Sequence, residues 1–289
     1  MSLSSSDLVG FFDHFPNFYD SGNAAPVPSI RERLNARYEA IIESNLPAIR
    51  GKRILDLGSH DGRWSFAAVQ AGAERVIGIE PRPELVESAN AHFSDAGVDA
   101  SRYEFIVGDA LEVLSSREIR VDTAFVLGIF YHLDYHVSLL GKLRETGAET
   151  MIVDTLTSPD RHEADNFNNT IAFIVEATDP NENASNEIYP GAHLSLVGHP
   201  SRNFMRTAFG AFGYSFAEID WSKPIQRWGN SGIGDYETGT RGTFVATRSD
   251  RVGWPHQVAP PSGAASLSLR HVVAHQLRRV ANRLDVSGS

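Results

Sequence analysis

Short apolar runs alternate with helix-like segments between residues 46 and 155, and this alternation constrains the fold more than any other feature of the sequence. The helix-like segments have the periodicity of amphipathic helices, and one of them is expected to begin near Pro83. Strands are expected over five runs: RILDL (53–57), RVIGIE (75–80), YEFIVGD (103–109), VDTAFVLGI (121–129) and TMIVDT (150–155). This order is typical of βαβ units, which build a doubly wound, mostly parallel α/β sheet.

The alternation breaks after residue 155. Residues 156–200 are polar and turn-rich around one apolar segment, IAFIVEA, and we predict that they form an inserted cap over the open edge of the sheet. A helix (201–213) and two strands, YSFAEIDW (214–221) and GTFVATR (242–248), then complete the main domain, which we place at 46–250.

The two ends of the chain are predicted to lie outside this domain. The aromatic segment FFDHFPNFYDSG suggests that residues 1–45 form a lid or helical segment, although plain core packing is the alternative. Residues 251–289 are expected to hold a linker and an amphipathic helix, with leucine and valine on one face and arginine on the other. That helix could dock on its own domain, contact a membrane or RNA, or, like the N-terminal segment, join two copies of the chain.

Composition excludes several classes of function. The formal net charge of −10 counts against a general nucleic-acid binder, which normally has a basic face. Without cysteine there is no disulfide, thiolate nucleophile or cysteine-based metal site. No apolar run approaches the ~18–20 residues of a membrane span, and the start, MSLSSSDLVGFFDHF, lacks the features of a signal peptide. We therefore expect a cytoplasmic protein.

The first strand leads into a glycine turn, ILDLGSHDGRW (54–64), which is the kind of turn that presents backbone to a nucleotide-like ligand. The spacing from Gly58 to Gly62 is G-x-x-x-G, with bulky His60 where a dinucleotide fingerprint has its middle glycine. The G-K-[ST] of a P-loop is also missing. The turn therefore suits a ligand without phosphates, such as S-adenosylmethionine.

Three acidic residues follow or sit in successive strands of this unit. Asp56 lies in the first strand, Glu80 closes the second and Asp109 closes the third. In open α/β sheets the ligand binds beyond the carboxyl ends of the strands, so all three are expected near one crevice. Glu80 suits ribose hydroxyls and Asp109 an adenine amine, although either could instead cap a helix.

These motifs resemble those of class I S-adenosylmethionine-dependent methyltransferases over roughly residues 30–250. The resemblance implies a Rossmann-like seven-stranded sheet whose last strand is antiparallel, with S-adenosylmethionine as cofactor. His60 departs from the usual glycine of the first motif. The residues expected to bind the cofactor are Asp56, Gly58, Ser59, His60, Gly62, Trp64, Glu80, Asp109, Ala110 and Leu127.

The segment LGIFYHLDYH (127–136) follows the fourth strand, which should pass under the methyl group. His132 and His136 are four residues apart and would share a face if the segment is helical. Histidine is the usual general base near neutral pH, so one of the two is the candidate catalytic base for a hydroxyl acceptor.

Further resemblance suggests the acceptor. FYHLDYH is similar to tRNA wobble-uridine modifying enzymes and to bacterial methyltransferases of sugars and natural products, while RLNARYEAI (33–41) looks closest to actinobacterial sugar O-methyltransferases. Some sugar enzymes of this fold use Mg²⁺, for which Asp134 and Asp154 stand in comparable places; a purely structural role for Asp154 is equally open. In the cap, the candidate contacts are Glu182, Glu187, Tyr189, His193 and His199.

The sequence thus predicts an S-adenosylmethionine-dependent O-methyltransferase acting on a small hydroxylated acceptor, such as a sugar or a natural product. A tRNA-modifying transferase is the first alternative, and it would need a contiguous basic surface beside the pocket. A non-catalytic S-adenosylmethionine-binding protein is the second, and it would have a blocked methyl-facing pocket.

Overall fold

A computed structural model of the chain describes residues 8–19, 29–159, 169–177, 192–229 and 231–249. The strands are β1 (Arg53–Leu57), β2 (Arg75–Glu80), β3 (Tyr103–Val107), β4 (Thr123–Leu127), β5 (Thr150–Leu156), β6 (Ile171–Ala177), β7 (Leu194–Pro200), β8 (Tyr214–Glu218) and β9 (Arg241–Arg248). The α-helices are α1 (Ile30–Ile41), α2 (Arg63–Gln70), α3 (Pro83–Asp95), α4 (Ala110–Ser116), α5 (His136–Glu145), α6 (Arg202–Ala211), α7 (Ser222–Trp228) and α8 (Gly234–Glu237).

Seven strands form the central sheet in the order β3-β2-β1-β4-β5-β9-β8. The first five pair in parallel, whereas β9 runs antiparallel to both β5 and β8. The predicted Rossmann-like sheet with an antiparallel last strand is therefore confirmed. Its strand order reverses between β1 and β4, which is where ligands bind in doubly wound sheets.

Apolar side chains cover both faces of the sheet. Successive residues of a strand point to opposite faces, so Leu55 and Leu57 enter one buried cluster while Ile54 enters the other. All three are fully buried, as expected of a central parallel strand covered by helices on both sides. This burial holds the carboxyl end of β1, and the turn that follows it, in a fixed position.

The N-terminal aromatic segment packs into the core. Phe12 and Phe18 are buried, and the Phe12 ring meets Trp64 edge-on with 5.6 Å between ring centroids. The Phe18 ring lies 5.3 Å from Phe66 of α2. Core packing therefore accounts for these two rings, and a lid formed by residues 1–45 stays a prediction.

The region predicted as a cap contains a two-stranded antiparallel sheet. IAFIVEA is strand β6, and it pairs with β7, which lies in the part that the sequence pattern leaves as polar loop. The loop between β8 and β9 holds two short helices, α7 and α8, which the sequence analysis does not predict. Their tryptophan and tyrosine side chains are buried against α1, so tertiary packing stabilises helices too short to form alone.

Part of the sequence prediction lies outside the described residues. The linker and amphipathic helix of 251–289 are among these, as are the candidate cap contacts Glu182, Glu187 and Tyr189. Within the described ranges, no helix has the length and apolar character needed to cross a membrane.

Candidate functional site

The turn between β1 and α2 has an unusual backbone. Gly58, His60 and Gly62 all have positive φ values, of 64°, 53° and 78°. At Gly62 a Cβ atom would lie 3.0 Å from both Ala89 and Phe105, so a side chain there would crowd α3 and β3 as well as strain the backbone. His60 shows that the middle position tolerates a side chain while keeping the left-handed conformation.

Glu80, at the end of β2, closes one side of this turn. The backbone N–H of His60 donates to Glu80 Oε2 at 3.0 Å, and Arg82 Nε donates to Oε1 at 2.7 Å. Oε1 also accepts from the backbone N–H of Arg82 at 3.3 Å, whereas Oε2 keeps a second lone pair that can accept a ribose hydroxyl while these contacts hold the carboxylate in place. The arrangement fits the predicted ribose role.

Asp109 is the N-cap of α4. Its Oδ1 accepts from the backbone N–H groups of Leu111 at 2.8 Å and Glu112 at 3.1 Å, and its Oδ2 accepts from the Tyr135 hydroxyl at 2.9 Å. The capping alternative is therefore present in the structure. Asp109 also lines the cavity at the carboxyl ends of the strands. Its adenine role therefore stays a prediction, in addition to its role as the N-cap of α4.

A cavity of about 320 Å³ opens at the carboxyl ends of the parallel strands. This volume is within the usual range for small-molecule sites. Seven of the ten predicted cofactor residues line it: Gly58, His60, Trp64, Glu80, Asp109, Ala110 and Leu127. The glycine turn, the ribose acid and the segment after β4 therefore border one space.

The other three predicted cofactor residues, Asp56, Ser59 and Gly62, do not line the cavity and instead are buried within the turn and the strand before it. The Asp56 carboxylate is buried and accepts the Ser65 hydroxyl at 2.7 Å, and burial raises its pKa to about 7. Ser59 is buried, with its N–H donating to the Ile79 carbonyl at 3.1 Å. None of Asp56, Ser59 and Gly62 lines the cavity, so their part in cofactor binding stays a prediction.

The two candidate histidines have different environments. His132 lies in a 3-10 turn and lines the cavity, whereas His136 is the first residue of α5 and does not line it. His136 is buried, and its Nε2–H donates to the Gly198 carbonyl at 2.9 Å. The common helical face does not form, because a non-helical break separates the two residues. His136 instead attaches the cap strand β7 to the start of α5.

His132 is equipped to be unprotonated at neutral pH. Burial, together with the positive charges of Arg241, His199 and Arg82, lowers the pKa of His132 to about 4. Its Nδ1 lies 3.9 Å from Glu176 Oε2 of the cap strand β6. A proton gained by His132 would therefore have a carboxylate close by.

The two predicted magnesium ligands, Asp134 and Asp154, have different environments, and a metal role for the pair stays a prediction. Asp134 is exposed, while Asp154 is fully buried and accepts from Arg37, Arg241, Tyr236 and Thr243 at 2.7–3.1 Å. Burial would raise the pKa of Asp154, but the two guanidinium groups and the hydroxyls outweigh it and hold the pKa below its usual value. No metal-binding group of three or more acidic or histidine side chains occurs among the described residues.

Two polar residues of the cap, Ser195 and His199, lie at or beside the cavity. Ser195 is buried and lines it. His199 meets the Tyr131 ring edge-on at 5.6 Å, and its Nε2 is buried with no hydrogen-bond partner in the described part of the chain. His193 is exposed and does not line the cavity.

Sequence reasoning missed most of the basic lining. Arg33 and Arg37 of α1 and Arg241 at the start of β9 all border the cavity, as does Tyr131. Arg33 and Arg37 are four residues apart on one helix, so their shared face was a signal available in the sequence. Arg241 has no such local signal, because its neighbours in the cavity are distant along the chain.

Comparison with known proteins gives the class. Residues 54–146 match the family described as a methyltransferase domain. This match and the sheet topology together identify residues 54–146 as part of a methyltransferase domain with a Rossmann-like fold. The predicted enzyme class and its cofactor, S-adenosylmethionine, are confirmed at this level.

Particular relatives are similar over part of the chain. The tRNA U34 carboxymethyltransferase of Cellvibrio japonicus is 32% identical over 117 residues, which are 38% of this chain and 36% of that protein. That of Pseudomonas paraeruginosa is 34% identical over 118 residues, covering 37% of this chain and 34% of that one. The chain thus spans only about a third of the length of these curated relatives.

Solved structures show the same fold at low identity. Magnesium protoporphyrin IX methyltransferase from Synechocystis, with bound S-adenosylmethionine, has a TM-score of 0.50 at 16% identity, covering 82% of this chain and 91% of that one. An S-adenosylmethionine-dependent methyltransferase from Mesorhizobium loti also has a TM-score of 0.50, at 14% identity, covering 74% and 98%.

Proposed function

We propose that this chain is a cytoplasmic O-methyltransferase that transfers the methyl group of S-adenosylmethionine to a hydroxyl of a small polyhydroxylated acceptor, such as a sugar or a natural product. The observation that carries the proposal is the position of His132, which lines the cofactor cavity and is held neutral by burial. The polar lining contributed by Tyr131 and the cap residue Ser195 suits an acceptor with several hydroxyls.

The chemistry assigns separate roles to the residues around the cavity. S-adenosylmethionine supplies a methyl group on a sulfonium, which the acceptor oxygen displaces in line as the carbon–sulfur bond breaks. His132 accepts the hydroxyl proton, and Glu176, at 3.9 Å from its Nδ1, stabilises the imidazolium that results. Glu80 and the glycine turn fix the cofactor at the other end of the cavity.

Labelled methyl transfer tests this proposal. Purified protein is incubated with methyl-labelled S-adenosylmethionine and a panel of glucose, glucuronate and glucose 6-phosphate. We expect label in at least one sugar, and a loss of about 10²–10⁴-fold in His132→Gln without a change in affinity for S-adenosylhomocysteine. His14→Gln is the control, since His14 is exposed and lies outside the cavity. Transfer to none of the sugars, or full activity of His132→Gln, would contradict the proposal.

A second candidate is transfer to the wobble uridine of a tRNA. It is favoured by the similarity to tRNA U34 carboxymethyltransferases, which are 32% and 34% identical over the matched segments. The formal net charge of −10 counts against it. Incubation with total tRNA followed by nucleoside analysis distinguishes the two candidates. A new modified uridine would favour the tRNA acceptor over the sugar acceptor.

A further inference from the structure

Three arginines converge at one end of the cavity. Arg33 and Arg37 reach it from α1, and Arg241 reaches it from the first position of β9. Their side chains are only 17%, 12% and 9% exposed, so they lie largely out of bulk water. Charged groups with this little exposure need compensating charge nearby.

Within the described ranges, the ion pairs place two carboxylates against these three cations. Asp154 accepts from Arg37 at 3.1 Å and from Arg241 at 2.9 Å. Asp235 accepts from Arg241 at 2.9 Å and from Arg33 at 2.9 Å. Because Arg241 is shared between the two aspartates, the cluster carries one positive charge in excess.

One hydrogen-bond donor of the cluster is also unused. Arg37 Nε is buried and has no partner within the described residues. The Arg37 guanidinium lies 4.9 Å from the Trp64 ring centroid, and both side chains line the cavity. A buried guanidinium donor without an acceptor is costly, and an acceptor arriving through the cavity would remove that cost.

Arg241 enters from the side of the sheet opposite the ribose acid, while Arg37 lies against Trp64 of helix α2. In the sheet order, β2 and β9 are separated by β1, β4 and β5, so the strands that carry Glu80 and Arg241 lie four spacings, or about 19 Å, apart. The Arg241 guanidinium lies 5.1 Å from the Tyr131 ring centroid, and the Tyr131 and His132 rings are 4.0 Å apart. The excess charge is therefore next to the proposed base.

We propose that Arg33, Arg37, Arg241 and the Tyr131 hydroxyl form a subsite for an anionic group of the acceptor, a carboxylate or a phosphate, while the hydroxyl to be methylated lies at His132. This inference rests on the proposed function and narrows its substrate class to acidic acceptors, such as a uronic acid or a sugar phosphate. Guanidinium groups bind both anions through paired N–H donors, so carboxylate and phosphate share one recognition chemistry. Because the arginines line a cavity, a small anion fits them better than the backbone of a nucleic acid.

The variants that test the subsite keep each aspartate paired. In Arg37→Gln, Asp154 retains Arg241, Tyr236 and Thr243 as donors. In Arg33→Gln, Asp235 retains Arg241. Each substitution therefore removes the excess charge without leaving a buried carboxylate alone. Arg227→Gln is the matched control, because Arg227 pairs with Glu39 and does not line the cavity.

The measurement is binding to protein saturated with S-adenosylhomocysteine. Glucuronate, glucose 6-phosphate and glucose are titrated at millimolar concentrations by calorimetry. We expect at least one anionic sugar to bind about tenfold or more tightly than glucose to the wild type and to Arg227→Gln. Arg37→Gln and Arg33→Gln should lose this preference. Equal binding of anionic and neutral sugars, or no binding of either anionic sugar to the wild type, would overturn the inference.

Two further titrations distinguish other sources of the anion. The cofactor itself has a carboxylate, so S-adenosylhomocysteine is compared with 5′-methylthioadenosine, which lacks the amino-acid part. If Arg37→Gln weakens only S-adenosylhomocysteine, the cluster binds the cofactor and the inference is wrong. Total tRNA that binds through Arg37, when neither anionic sugar does, would also overturn it. Failure of S-adenosylhomocysteine to bind the wild type would instead remove the proposed function.

Discussion

The two ends of the cavity are built in different ways. At the predicted cofactor end, the bond from His60 to Glu80 joins residues 20 apart in the chain, and Asp109 accepts from the first turn of the helix that it caps, α4. The other end, around Tyr131 and the arginine cluster, is the proposed acceptor end. There the bonds from Arg37 to Asp154 and from Arg241 to Tyr131 join residues 117 and 110 apart in the chain. The cofactor end is therefore a local product of β1, β2 and β3, whereas the acceptor end exists only once the whole domain has folded.

This contrast predicts that one acidic residue at the acceptor end matters most for stability. Asp154→Asn leaves Arg37 and Arg241 without their shared carboxylate, and removing one partner of a buried ion pair typically costs about 3–5 kcal/mol. Urea denaturation followed by circular dichroism measures this loss. Asp122→Asn is the control, since its partner Arg53 is 46% exposed, and about 1 kcal/mol or less is expected there. Similar losses in the two variants would contradict the contrast.

At the predicted cofactor end, replacing the acidic residue Glu80 should weaken binding of S-adenosylhomocysteine. Glu80→Gln removes the charged acceptor for ribose hydroxyls, and we expect affinity for S-adenosylhomocysteine to fall by roughly 10–100-fold. Calorimetric titration measures this change. The variant should bind 2′,3′-dideoxyadenosine as the wild type does, because that nucleoside lacks both hydroxyls. A weakened dideoxynucleoside complex would mean that Glu80 acts on the fold instead of on the ribose.

The pH dependence of methyl transfer tests the environment of the acceptor end. Burial lowers the pKa of His132 from 6.5 to about 4, so the base is neutral above that value and the rate should fall only as the pH drops through about 4. A histidine with the ordinary pKa of 6.5 would already have lost roughly thirtyfold in activity at pH 5. The profile of kcat/KM is measured with the acceptor found in the labelling assay. An acidic limb centred near pH 6.5 would show that His132 is not the base in this environment.

The smallest expected effect concerns Asp109, which caps α4 and is also predicted to bind the adenine amine. Asp109→Ala removes the N-cap of α4 and should cost about 0.5–2 kcal/mol of stability, whereas Asp109→Ser keeps a capping hydroxyl and should cost less. Both variants should bind S-adenosylhomocysteine less tightly if the carboxylate also accepts from the adenine amine. An unchanged affinity of Asp109→Ser for S-adenosylhomocysteine would mean that Asp109 acts only as the N-cap of α4.

The same contrast explains what the sequence could predict. The strands and helices of the cofactor half follow from local periodicity, and helix α4 begins and ends where the pattern ALEVLSS does. Glu80 and the glycine turn could be identified because the strand and the turn are adjacent in the chain. The β1 strand is also buried on both faces, so its apolar run is unambiguous.

The acceptor half could not be predicted in this way. Asp154 has the local context of a strand-end ligand, and only the folded chain shows that Arg37 and Arg241 already occupy it. Helices α7 and α8 are too short for periodicity to indicate, and they form because Trp221 stacks on Tyr236 with 3.6 Å between ring centroids. Strand β7 contains a short alternating run, LSLVG, that is too brief to predict a strand on its own. The strand forms because it pairs with β6.

The antiparallel direction of β9 has a consequence for how this fold diversifies. Leu156, at the carboxyl end of β5, pairs with Arg241, the first residue of β9, so the chain enters the sheet at the ligand edge. The connection that precedes Arg241 begins after β8, at the outer side of the sheet, and carries α7 and α8 past α1. The residues of this connection can therefore change while β8 and β9 keep their places in the sheet.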